Sequence, residues 1–427
     1  MKDIFKDFGV TKFEGKLNNG IKIVLFYRAG APITTTALLH AGSKNDPADM
    51  PGVCHFLEHM ITNGSSKFPS KDLLAEHIES VGGIYGAMTG QEPMWINTEV
   101  AYREDYGRVV DIYRATLCEP LLDRNVFENE KQIVLKEIKK SNSDPSRVLI
   151  KVSRQLFFEG TAFEHQVLGD EESILKLDYE EVVYLHKKLF DKSRITFIAS
   201  GDISLNELVT HLDSLPFLVG DNFVPDNSTL VPKNHRKILA EFLDTPQTHI
   251  SIGVISPSQY SKESNHLTLL GLIIAGGRAS RLSKKLRYEK GLIYSAAFSR
   301  FGSQQLGSWG IVTDTSEDKV QEVLDEIINE IKNLQKNGVM QSELDFVKNK
   351  RIKSLKRTMQ TSSDWVDFHA VPEVFSQIPY DVNTFVKETE ETTLEDIKNV
   401  IDKYFSKENW KLAMCGRTRE ESVKLNW

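Results

Sequence analysis

The residues His55-Phe56-Leu57-Glu58-His59 place two imidazoles and a carboxylate within five positions. On an α-helix, positions i and i+4 share one face. His55 and His59 can therefore both point at one zinc ion, about 2.0–2.1 Å from each ring nitrogen. Glu58 flanks the same face but immediately precedes His59, which keeps it beside the metal and off it. A general base for zinc-activated water must sit there. The order H-x-x-E-H inverts the commoner zinc-protease motif H-E-x-x-H. A surface helix with two histidines and a glutamate is the bland alternative, and short motifs carry real false-positive risk.

The elements around the motif must position it. Residues 41–51 form a loop rich in Gly, Asn, Asp and Pro, with Pro51 suited to a first helical turn. Asn63-Gly64 is a stop signal, so the motif is expected on a helix from Pro51 to Thr62. Cys54 adjoins His55, but helix neighbours point about 100° apart, so it reads as a packed residue and not a ligand. A catalytic zinc takes three protein ligands. The stretch Phe127 to Ile138 has helical spacing, and Glu130 and Glu137 lie two turns apart on one face. By spacing either could ligate, with the other behind it, or both could belong to a solvated face. Glu128 points elsewhere.

This set of residues resembles the pitrilysin / mitochondrial-processing-peptidase family of zinc metallopeptidases, in its half-length form. The resemblance implies that His55, His59 and Glu137 hold one Zn2+ per chain, that Glu58 is the base, and that Glu130 orients a ligand histidine. A second stretch, Gly276 to Leu282 leading into Leu286 to Tyr294, is similar to the family's C-terminal element. There an arginine and a tyrosine seven residues apart bind substrate at the scissile bond, which implies that role for Arg287 and Tyr294. Without the family, the same stretch is a helix ending near Gly291 and a strand starting at Leu292. The resemblance also makes Gly82 to Thr89, with Ala87 within it, an edge strand to which a peptide adds by backbone hydrogen bonds. The family often has Asn where this chain has Gly86, a departure from its pattern.

Composition narrows the class. The 427 residues are 40% hydrophobic and 26% charged, with a net charge of −7, ordinary for a soluble protein. There is no basic footprint for nucleic acid or an anionic membrane surface. Cys54, Cys118 and Cys415 are far apart and odd in number, so no disulfide framework is expected, as in a reducing compartment. The first residues lack the pattern of a secretory signal or a transit peptide, and no apolar run approaches the length of a membrane span. A cytoplasmic location is expected. The remaining histidines show no ligand spacing.

The chain also copies itself. The helix from Tyr179 and the strand Ile195 to Gly201 match the helix from Leu394 and the strand Lys411 to Gly416. Phe190 and Phe405, and Gly201 and Gly416, share an offset of 215. Residues 217–235, with Pro225, Asn227, Ser228 and Pro232 and no apolar period, read as a linker. The expected organisation is a zinc-binding catalytic domain over 1–216, the linker 217–235, and a homologous domain over 236–427 carrying Arg287 and Tyr294. Each half shows strands, helices, two more strands and long helices. That predicts an α+β fold of two similar domains, each a mostly antiparallel sheet packed with helices.

The expected function is a zinc-dependent endopeptidase acting on peptides or unfolded, presequence-like segments inside a chamber. A non-catalytic partner subunit of a heterodimeric processing-peptidase-like complex is the alternative. Such subunits commonly lose part of the motif, and this chain has every element. Zinc used only as scaffolding would need no base, so Glu58 argues against it. The zinc motif and the Arg/Tyr pair in one half-length chain imply a homodimer completing each other's sites. A heterodimer with an inactive homologue is the other possibility.

Overall fold

A computed structural model describes residues 3–220, 223–224, 230–233, 235–376 and 380–427. The fold is α+β and comprises two compact units, each a sheet packed with helices. Of the expected linker, residues 221, 222, 225–229 and 234 lie outside the described residues, Pro225, Asn227 and Ser228 among them.

The first unit comprises Met1–Ile138, Gln166–Asp226 and Lys356–Phe385. Its strands are β1 Thr11–Lys16, β2 Lys22–Tyr27, β3 Ile33–Leu39, β4 Ile84–Thr89, β5 Met94–Val100 and β6 Ile195–Gly201. They form one sheet in the order β1-β2-β6-β3-β5-β4. Only the β2–β6 pair is parallel. β3 is buried along its whole length because both of its faces are covered. One face packs the core that includes Val53, Phe56 and Leu57. The helix Ser362–Phe375 packs on β3 and β6. A Thr361–Asp364 capping box starts that helix, and the Trp365 ring packs at a tilt against Phe5 and Phe26. Lys12 of β1 and Lys22 of β2 both pair with its Glu373.

The second unit comprises Lys139–His165, Asn227–Leu355 and Val386–Trp427. Its strands are β7 Ile238–Phe242, β8 Gln247–Ser256, β9 Ala296–Gly302, β10 Gly307–Ser316 and β11 Lys411–Gly416, ordered β7-β11-β8-β10-β9 with β7–β11 parallel. The helix Pro145–Phe158 packs on β7, β11 and β8. It begins with Pro145 in its first turn and the Asp144 side chain capping Ser146 N and Arg147 N. The helix Lys262–Ala275, Trp309 and Trp410 build the core against the sheet. Each unit therefore takes one sheet-covering helix from the far half of the sequence.

The internal repeat has a backbone counterpart. Gly201 and Gly416 end β6 and β11 with φ of 136° and 145°. A Cβ on Gly201 would lie 2.4 Å from Pro32 O, and one on Gly416 3.0 Å from Gln247 O. Both places demand glycine by conformation and by space.

Two local expectations need correction, and two strands were not expected. The motif helix runs Val53–Ile61, not from Pro51. Pro51 stands in the preceding turn, and Gly52 has φ 93° with Leu168 O only 2.6 Å from where a Cβ would sit. β9 starts at Ala296, not Leu292. Leu292 N instead bonds Leu286 O, and Leu292 and Ile293 are buried in the core. β1 and β7 carry no clear alternation of apolar residues and escape a periodicity reading.

Candidate metal centre

The helix Val53–Ile61 is held at its start by a residue the sequence reading passed over. Asp46 accepts from Gly52 N at 2.7 Å and from Cys54 N at 2.9 Å. Such acceptors satisfy amides that a helix start leaves open. Burial pushes the Asp46 carboxyl up to about 6, against the pull of these hydrogen bonds. Cys54 is fully buried and close to Asp46, turned away from the histidine face.

His55 and His59 rise from this helix toward Glu137 of the helix Arg124–Ser143. Glu137 Oε2 is 3.7 Å from Nε2 of His55 and 3.7 Å from Nε2 of His59. These separations are shorter than twice a zinc–ligand bond of about 2.0–2.2 Å, so one ion can reach both ends of each pair. The three ligand atoms lie within 4.8 Å of one another. Among the described residues, this is the one such His/Cys/Asp/Glu group. Two imidazole nitrogens and a carboxylate oxygen are the donor chemistry zinc takes, so the residues present fit that ion.

Glu130 lies two turns before Glu137 and is buried. Its Oε2 is 2.9 Å from His59 Nδ1, which leaves His59 Nε2 for the Glu137 side. The two glutamates are thus separated by geometry: one faces both Nε2 atoms, the other stands behind one ring. Burial works against charge on His59, but the Glu130 hydrogen bond and the charges of Glu137, Glu130 and Glu58 outweigh it and hold its pKa above the usual value. Burial, then the neighbouring His59, pulls His55 down to about 3. His55 Nδ1 is buried, with no hydrogen-bond partner among the described residues. Glu128 points away, pairing with Lys131.

Glu58 is fixed from the sheet. Thr89 Oγ1, at the end of β4, donates to Glu58 Oε2 at 2.6 Å. Burial raises the Glu58 carboxyl, opposed by its bonds to Thr89 and by the charge of His59. Thr89 and Asp46 both went unread because each is a single polar residue with no spacing to mark it. Asn63, read as part of the helix stop, donates to His59 O at 2.9 Å.

β4 is an edge of its sheet. Tyr85 and Ala87 turn inward against the core, while Ile84 and Met88 are exposed. What Ala87 can offer outward is backbone. A Cβ on Gly86 would meet nothing within 4 Å, so space does not explain a glycine there.

Arg287 and Tyr294 belong to the second unit. Arg287 sits on the π-helical turn Ser283–Glu289, and its guanidinium carbon lies 4.8 Å from the centre of the Tyr294 ring, within cation–π range. Tyr294 is 74% exposed. The segment leading into this turn is pinned by Arg281, which bonds both oxygens of Glu343 and one of Glu330.

The chain matches two family descriptions: "Insulinase (Peptidase family M16)" over residues 23–171 and "Peptidase M16 inactive domain" over residues 176–351. It is 21% identical over 401 residues to "Uncharacterized zinc protease YmxG" of Bacillus subtilis, covering 93% of this chain and 96% of that one. It is 23% identical to "Uncharacterized zinc protease SCO5738" of Streptomyces coelicolor over 71% of this chain and 68% of that one. Its fold is similar to that of a protease from Helicobacter pylori, with a TM-score of 0.89 and 16% identity over 95% of this chain and 99% of that one. It is also similar to a peptidase M16 inactive domain from Pseudomonas fluorescens, with a TM-score of 0.87 and 17% identity over 96% and 98%. Motif, fold and matches agree, and the chain belongs to the half-length members of peptidase family M16.

Proposed function

We propose that this chain is a zinc-dependent endopeptidase that hydrolyses peptides or unfolded segments within a chamber. The observation that carries the reading is the convergence of His55, His59 and Glu137 beside a carboxylate held by Thr89. Zinc supplies a Lewis acid that acidifies water and polarises a carbonyl. His55, His59 and Glu137 would hold the ion, and Glu130 fixes the ring of His59. Thr89 holds the Glu58 carboxylate through Oε2, and that carboxylate accepts a proton from the attacking water. As the water oxygen bonds to the peptide carbon and the C–N bond breaks, Glu58 passes that proton to the leaving nitrogen.

We further propose that two copies associate, with Arg287 and Tyr294 of one protomer binding substrate beside the zinc of the other. Support comes from both signatures lying in one half-length chain. The three free, buried cysteines suit a reducing compartment, and we place the enzyme in the cytoplasm. No helix among the described residues is long and apolar enough to cross a membrane.

Glu58→Gln is the direct test. With a quenched peptide, the variant should keep its fold and one zinc while losing about 10³-fold or more in turnover, because an amide cannot take the proton. Cleavage at near the wild-type rate would refute the mechanism. A zinc-loaded wild type that cleaves nothing would favour the partner-subunit reading.

A further inference from the structure

The second unit contains a cavity of about 650 Å³ far in sequence from the zinc motif. It is a groove between the helix Pro145–Phe158 and the faces of β8, β10 and β9 that this helix leaves open. Strand alternation sets its floor. Trp309 and Ile311 of β10 point into the core, so Ser308, Gly310, Val312 and Asp314 face the other way. Ser251 and Ser299, on the flanking strands, keep that floor shallow. Leu149, Phe157 and Phe301 are its apolar walls.

The two ends of the groove differ in charge. Cys415 Sγ contacts Pro145 O, and Cys415 is in register with His249, which is in register with Asp314. The start of the helix therefore lies at the Asp314 end. Phe158 packs on Phe301 at 4.9 Å, and Arg154 lies over the Phe301 ring at 4.7 Å, which puts the guanidinium at the opposite end, where Phe301 faces Ser308. Arg154 donates to Phe163 O at 3.2 Å. Among the described residues, no carboxylate pairs with Arg154 and no cation with Asp314. Burial draws the guanidinium down to about 10, so it stays charged at neutral pH without an acidic partner. A desolvated cation that lacks a counter-charge is costly, and an incoming carboxylate would relieve that cost.

We propose that this groove binds a short peptide, extended and with free ends, its carboxylate on Arg154 and its amino group on Asp314. Its apolar side chains lie against Leu149, Phe157 and Phe301. The length agrees. From Ser308 to Asp314 the strand advances by six steps of about 3.3 Å, roughly 20 Å, which is the span of five or six extended residues. A single carboxylate ligand would leave Asp314 unanswered. Peptides with two free ends are what an endopeptidase releases from the interior of its substrates, and in that choice of ligand the inference rests on the proposed function.

The test uses the full-length Glu58→Gln protein and calorimetry, with the pentapeptide Leu-Ala-Ala-Ala-Leu as probe. Four forms are compared: both ends free, N-acetylated, C-amidated, and both capped. Each cap should weaken binding about tenfold, the loss expected for one charge-assisted hydrogen bond. Arg154→Met should weaken the free-carboxylate forms by a similar factor and leave the C-amide unchanged. Asp314→Asn should do the same for the amine. Equal binding of all four forms, or no binding of any, overturns the proposal, and neither result depends on a variant folding. Cleavage by wild type with cap-independent binding refutes the groove alone. End-dependent binding with no cleavage by wild type refutes the peptidase reading alone.

Discussion

Thr89 Oγ1 lies 2.6 Å from Glu58 Oε2, so the last residue of an edge strand aims a carboxylate that the motif helix carries. Thr89→Val keeps the shape and removes the donor. Turnover should fall about 10- to 100-fold, as for a misaimed group, with zinc content unchanged. Equal turnover in wild type and variant would show that the carboxylate needs no such anchor.

Glu130 and Glu137 should separate by metal analysis. Glu137→Gln removes a ligand and should abolish stoichiometric zinc. Glu130→Gln removes only the bond to His59 Nδ1 and should weaken zinc affinity about 10- to 100-fold while leaving the site loadable at high zinc. Full zinc occupancy in purified Glu137→Gln would move the third ligand elsewhere.

Subunit exchange tests the association. Glu58→Gln and Tyr294→Phe proteins should each be nearly inactive. Once mixed and exchanged, one site of the mixed dimer would carry both lesions and the other neither, so activity should return to one of two sites. No recovery after verified exchange would leave each chain building its site alone or with a different partner.

Acid stability should report on Glu373. Burial alone would raise its carboxyl, but hydrogen bonds from Lys12 and Lys22 outweigh burial and hold it below the usual value. A depressed folded pKa contributes stability that is present above the unfolded value of about 4.5 and lost as pH falls through the folded value. Glu373→Gln should cost roughly 1–2 kcal/mol at pH 7, since Lys22 is partly exposed and the pair is screened. Its melting temperature should also decline less steeply than wild type below pH 4.5. Parallel acid profiles for the two proteins would remove Glu373 from the account.

Much of the centre could be read from spacing. His55, Glu58 and His59 are local, and helix geometry alone puts them together. Glu130 and Glu137 share a face, so spacing could not rank them. Only the resemblance did, and in the fold Glu137 meets both Nε2 atoms while Glu130 meets one Nδ1. Asp46 and Thr89 act through the tertiary fold and leave no periodic trace. The π-helical turn under Arg287 was hidden for a related reason: α and π windings share one apolar pattern over so short a stretch. The repeat was visible through Phe190, Phe405, Gly201 and Gly416. Which helix covers which sheet was not, because periodicity says that a face is buried and not against what.

That covering has a consequence for how the protein is made. The sheet of the first unit is closed on one side by the helix Ser362–Phe375, which follows His55, Glu58, His59 and Glu137 by more than 200 residues in order of synthesis. A nascent chain that has released His55, Glu58, His59 and Glu137 from the ribosome still exposes the uncovered side of β3 and β6, with Phe26 lacking Trp365 and His369. His55, Glu58, His59 and Glu137 are translated early, but the unit that contains them is completed only once the helix Ser362–Phe375 has emerged, and until then its bare sheet is a surface for chaperones.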